Sequence, residues 1–154
     1  MKKSIIGLVM SSLLTFALSY WGSNYKISEE YTIQFETKKA KGNLQGLEGT
    51  ISFDPNQLET SKMDVKVAVN TIATGNTKKD KHAVGKKWFN AEAYPYISFV
   101  SSKIEQLEEG YQVRGNLTIK DVTQEVSIPF NYVPKDNGML LEGQLMVKRK
   151  DYHI

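Results

Sequence analysis

From Tyr25 onward, apolar and polar residues alternate with a period of two, and helical periodicity is nearly absent. Tyr31, Ile33 and Phe35 alternate with Thr32 and Gln34. Ile51 and Phe53 flank Ser52, and Val65, Val67 and Val69 alternate with Asp64, Lys66 and Ala68. Ile97 and Phe99 alternate with Tyr96 and Ser98. Tyr111, Val113, Leu117 and Ile119 alternate with Gln112, Arg114, Asn116 and Thr118. Val126, Ile128, Phe130 and Tyr132 do so with Ser127, Pro129 and Asn131, and Leu141, Leu145 and Val147 with Glu142, Gln144 and Lys148. These seven segments predict strands with one apolar and one polar face. A Gly-containing turn is expected around Lys41 to Gly49. Further turns are expected at Asp54-Pro55-Asn56, Glu108-Glu109-Gly110, Lys120 to Thr123 and Pro134 to Gly138.

Short connections between consecutive strands imply antiparallel neighbours in up-and-down order. The long connection from Thr74 to Pro95 carries Lys78-Lys79-Asp80-Lys81 and Trp88-Phe89-Asn90, and a short helix or structured loop is expected there. With no helices to cover the apolar face, the sheet must close on itself. The meander favours an all-β, up-and-down antiparallel barrel of about eight strands over a Greek-key sandwich. Such a barrel is either filled by its side chains or holds one small ligand.

The N-terminus has the layout of a secretory leader. Lys2-Lys3 precede the apolar run Ile5 to Leu18, and Ala17-Leu18-Ser19 supplies small residues for cleavage. The expected organisation is a signal peptide at 1–19 and one domain at 20–154. Without Lys2 and Lys3, the 20 basic residues become 18 against 17 acidic, a net of +1. That is no footprint for nucleic acid. The absence of cysteine removes disulfides, thiolate metal sites and a thiol nucleophile. The His pair, His82 and His153, has no carboxylates at ligand spacing, so no metal or cofactor is expected.

Several segments, in order, resemble the YceI-like family of exported, lipocalin-like barrels. Gly49 to Pro55 resembles its "G-x-I-x-F-D-P". Asn70 to Asn76 followed by Lys79-Asp80-Lys81-His82 resembles "S-I-x-T-G…R-D-x-H-L". Trp88-Phe89-Asn90, Tyr94 to Phe99 and Gly115 to Lys120 continue the series, and Arg149 to Ile154 resembles "R-x-D-F-G-I". Asn90 departs from an expected acidic residue, and His153 stands in place of a glycine. The resemblance implies a periplasmic or secreted protein whose apolar cavity holds a polyisoprenoid, an isoprenoid quinone or another fatty amphiphile. The implied tasks are transport, storage or an envelope stress response. It also implies about one more strand beyond Ile154, so the last strand is expected to be missing and the seam open, with a homodimer as one way to cover it.

The candidate binding face is the apolar side of the strands: Tyr31, Ile33, Phe35, Ile51, Phe53, Val65, Val67, Phe99, Val113, Leu117, Ile128, Phe130, Leu145 and Val147. A prenyl chain is matched by such walls at about 25 cal/mol per Å² of apolar surface buried. A dry, packed core has the same pattern. Asp80, His82 and Arg149 are candidates for a headgroup contact. Arg149 shares the parity of Leu145 and Val147, which predicts an inward guanidinium for a phosphate or carboxylate, or for a salt bridge to Asp80 or Asp151. An Asp and a His two apart do not face each other on a helix, and no nucleophile motif accompanies them, so catalysis is not expected. Trp88-Phe89 is a hydrophobic plug or a cover for the cavity mouth. The lysines from Lys78 to Lys87 are a solvated face with some attraction to anionic lipid.

Overall fold

The alternating segments form antiparallel strands in the computed structural model, which describes residues 6–11 and 24–154. In chain order these are β1 (Ile6–Ser11), β2 (Asn24–Ile27), β3 (Ile33–Glu36), β4 (Lys41–Ser52), β5 (Lys62–Ala73), β6 (Tyr96–Gln106), β7 (Tyr111–Ile119), β8 (Val122–Lys135) and β9 (Gly138–Gly143). One helix, α1 (Thr77–Val84), lies in the long connection, and 3-10 turns occupy Leu58–Thr60 and Arg149–Tyr152. From β4 to β9 each strand pairs with its successor, which is the expected meander.

The seam is bridged rather than open. β1 pairs with β9 from Ile6↔Gly143 to Ser11↔Gly138, and it also pairs with β2. β2 in turn meets the end of β4 through Asn24↔Ser52 and Tyr25↔Ile51. Pairings therefore run in a circuit from β4 through β9, β1 and β2 back to β4. β3 pairs separately with the other half of β4, through Ile33↔Leu44 to Glu36↔Lys41. The place expected to stand empty is taken by residues from the segment expected to be the leader.

Three other expectations need correction. Lys41 to Gly49 is not a turn but most of β4; the tight turn comes earlier, where the Thr37 amide donates to the Ala40 carbonyl at 2.7 Å. Glycine is needed inside this strand because β4 and β5 approach closely: a Cβ on Gly49 would lie 2.1 Å from the Asp64 carbonyl oxygen. Secondly, β2 was not anticipated, because Asn24–Ile27 is too short to show a period. Thirdly, the last strand stops at Gly143 instead of running through Val147. The Gln144 amide still donates to the Pro129 carbonyl at 3.4 Å, but Pro129 has no N–H to return the bond, so the ladder ends there. Beyond it Met146 is 90% exposed, and Val147 is exposed as well.

The interior is apolar. Ile51, Phe53, Met63, Phe99, Ile104, Val113, Leu117, Ile119, Phe130, Met139, Leu141 and Tyr152 form the main cluster. Leu44, Val67, Val69 and Ile72 form a second, with Leu47, Phe89 and Ile97 packed against both. The one buried polar residue among those described, Ser61, is satisfied: its hydroxyl accepts from the Asp54 amide at 3.0 Å and donates to the Gln57 carbonyl at 3.0 Å.

Candidate functional site

Register fixes the two ends of the barrel. The turns at 53–61, 107–110 and 136–137 share one end, which an aromatic cluster fills from inside. Phe53 meets Tyr111 at 5.1 Å between ring centroids and Phe130 at 5.4 Å, both edge-on, and Tyr132 at 5.3 Å with the rings tilted, while Tyr111 stacks on Phe130 at 5.6 Å. Such contacts add about 0.5–1.5 kcal/mol each beyond area burial. This end is plugged.

The opposite end is covered by the long connection and by the C-terminal 3-10 turn. The Asn76 side chain accepts from the Lys78 and Lys79 amides and so caps α1. After the helix, Trp88 and Asn90 amides donate to the Gly85 carbonyl, and the Phe89 amide to Ala83, winding the connection tightly. Phe89 is thereby set at the junction of the two apolar clusters. Charge is distributed unequally between the ends. Around α1, exposed Lys38, Lys39, Lys41, Lys78, Lys79, Lys81, Lys86 and Lys87 outnumber Glu36, Asp80 and Glu92, whereas at the plugged end Asp54, Glu59, Glu108, Glu109 and Asp136 outnumber Lys62 and Lys135. The near-neutral balance of residues 20–154 conceals this polarity. A depression of about 340 Å³ between the β3–β4 turn and α1 is lined by Glu36, Thr37, Lys39, Ala40, Lys41, Thr74 and Lys79.

The candidate wall residues divide between the two clusters. Ile51, Phe53, Phe99, Val113, Leu117 and Phe130 are buried in the main one, with Tyr31, Val65, Ile128 and Leu145 packed against it. Val67 is in the second, beside Ile33 and Phe35. Val147 joins neither, because the strand that would have turned it inward has ended. The polar trio is not assembled. Asp80 accepts from the Thr74 amide at 2.8 Å and from its hydroxyl at 2.6 Å, tying the helix to the end of β5. His82 is exposed. Arg149 lies in the 3-10 turn, is exposed, and places its guanidinium 5.2 Å from the centroid of the Trp88 ring. Its inward orientation required a strand parity that the chain abandons at Gly143.

Sequence reasoning missed Tyr152. The final turn folds back so that its ring is buried in the main cluster, although no period marks a residue that follows Arg149-Lys150-Asp151. His153 next to it has φ 55°, a left-handed conformation that explains why the resembling motif has glycine there. Met63, Ile104, Met139 and Leu141 also line the interior, and the sequence signal for Leu141 was present in the alternation. Among the described residues no His, Asp or Glu group could hold a metal ion, and no helix is long and apolar enough to cross a membrane.

A family model described as the YceI-like domain matches residues 16–154. UPF0312 proteins of Yersinia pestis and of Yersinia enterocolitica are each 28% identical over 99% of this chain and 86% of their own length. The crystal structure of BcnA from Burkholderia cenocepacia is similar in fold, with a TM-score of 0.73 and 22% identity over 98% of this chain and 81% of that one. A YCEI protein of Campylobacter jejuni is 26% identical with a TM-score of 0.65, covering 77% of this chain and 73% of its own.

Proposed function

Because the chain belongs to the YceI-like family, we propose that it is an exported carrier that holds a polyisoprenoid, isoprenoid quinone or similar fatty amphiphile inside its barrel. The observation that carries this reading is the interior itself. Strands β4 to β9, which leader removal leaves intact, form a continuous meander that turns apolar side chains inward. An extended hydrocarbon chain needs such a wall and gains little from directional groups along its length. The plugged end offers no passage, so the lipid enters beneath the long connection, past Phe89.

The lysines around that entrance would bring the mouth to an anionic headgroup layer, at about 1 kcal/mol per Lys close to the surface. Membrane contact is then transient and charge-driven. Asp80 and Arg149 have separate structural contacts and His82 is exposed, so the three form no acid–base pair, which favours binding over catalysis. Removal of residues 1–19 belongs to this reading and places the protein in the periplasm or outside the cell.

Ligand-dependent melting tests it. A ligand that binds only the native state stabilises by about 2.7 kcal/mol at a hundredfold excess over Kd. Adding a prenyl alcohol should therefore raise the melting temperature by on the order of 10 °C. An unchanged transition would mean a dry, purely structural core.

A further inference from the structure

The Tyr152 side chain is 2% exposed, lies in the main apolar cluster, and has a buried hydroxyl that meets no hydrogen-bond partner. A buried polar group left without a hydrogen bond destabilises the fold, and native interiors keep few of them. Phenylalanine would fill the same space without that cost, and the motif that Arg149 to Ile154 resembles has phenylalanine at this position. The placement is also firmly held. The Gln124 amide group donates to the Asp151 carbonyl at 2.7 Å, and Lys120 Nζ donates to the His153 carbonyl at 2.9 Å. His153 Nδ1 lies 3.6 Å from an Asp121 carboxylate oxygen, and the Ile154 amide donates to the Arg149 carbonyl at 3.1 Å. The first three contacts fasten the turn to the β7–β8 connection and the start of β8 at the entrance end, and the fourth closes the turn on itself, with its single hydroxyl among hydrocarbon.

We propose that the Tyr152 hydroxyl is the polar anchor of the binding site, donating a hydrogen bond to an oxygen at the end of the bound amphiphile. This rests on the lipid-carrier reading and adds a ligand requirement to it: an apolar chain ending in an acceptor oxygen, whether an alcohol, a carbonyl or a phosphate ester. The walls select the chain. Tyr152 selects and orients its end, holding it beneath the lysine-rich mouth where it can be handed over.

The test compares geranylgeraniol with the hydrocarbon of the same chain lacking the hydroxyl, each titrated into wild type and Tyr152→Phe. Wild type should prefer the alcohol. Tyr152→Phe should bind the alcohol about 5- to 20-fold more weakly, while its affinity for the hydrocarbon changes by less than about twofold. The ligand-free variant should melt at or above the wild-type temperature, since it loses an unsatisfied group. Unchanged affinity for the alcohol in Tyr152→Phe, or a lower ligand-free melting temperature, would overturn the anchor. If wild type binds both compounds equally, the carrier reading stands and the anchor falls. If it binds neither, both fall.

Discussion

The Arg149 guanidinium lies over the Trp88 ring, 5.2 Å from its centroid, joining the 3-10 turn to the long connection across the covered end of the barrel. The contact is exposed, so it is worth about 0.5–1 kcal/mol. Its larger consequence is kinetic, because it ties together the two pieces that cover the entrance. Arg149→Ala should release a bound fluorescent prenyl probe several-fold faster in stopped-flow experiments, with only that small loss of stability. Unchanged release would place the entrance elsewhere.

Gly115 faces the interior on β7, where a Cβ would lie 2.4 Å from the Val100 carbonyl oxygen and 2.7 Å from the edge of the Phe99 ring. Backbone on the neighbouring strand cannot retreat without disturbing the ladder. Gly115→Ala should therefore cost about 1–3 kcal/mol, read as a lower urea midpoint. A midpoint equal to wild type would mean that β6 and β7 leave room for a methyl group at this position.

Burial pushes the Tyr152 phenol above its ordinary value of 10.0, and the charge of Asp151 adds to the shift. The folded state thus favours the neutral phenol. Its contribution is fully present below the unfolded value and is lost as pH rises through the folded one. Stability should fall with rising pH above about 10, and less steeply in Tyr152→Phe. The measurement is melting temperature against pH for both proteins, and parallel curves would contradict the burial of this hydroxyl.

Leader removal would take β1 from the circuit and bare the outer edge of β9 over Gly138–Gly143. The intact mass of the exported protein should correspond to residues 20–154. That form should show faster amide exchange along β9 than the full chain and a concentration-dependent dimer through strand exchange. An exported mass that includes residues 1–19 would instead make Ile6–Ser11 a permanent strand.

How far the sequence could be read depended on whether the backbone followed its simplest period. Val113, Leu117 and Ile119 face inward as the alternation predicts, and so do Ile97, Phe99, Ile128 and Phe130. Where glycine lets two strands touch, as at Gly49, the same residue type that signals turns concealed a long strand. Where Pro129 ended the ladder, parity ceased to hold, and Val147 and Arg149 were misplaced for one reason. Tyr152 was invisible because a reversing turn, rather than a period, puts it inside. The aromatic plug was half legible: Phe53 and Phe130 were picked out, whereas their meeting with Tyr111 and Tyr132 depends on barrel closure.

A lipid held in the barrel should travel with the protein from the cell. Mass spectrometry of an organic extract of the purified, exported protein should give one dominant species, a long prenyl or fatty chain ending in an oxygen function, in near-stoichiometric amount. An extract free of lipid, from protein that is folded and does not bind added prenyl alcohol, would mean that the barrel carries none.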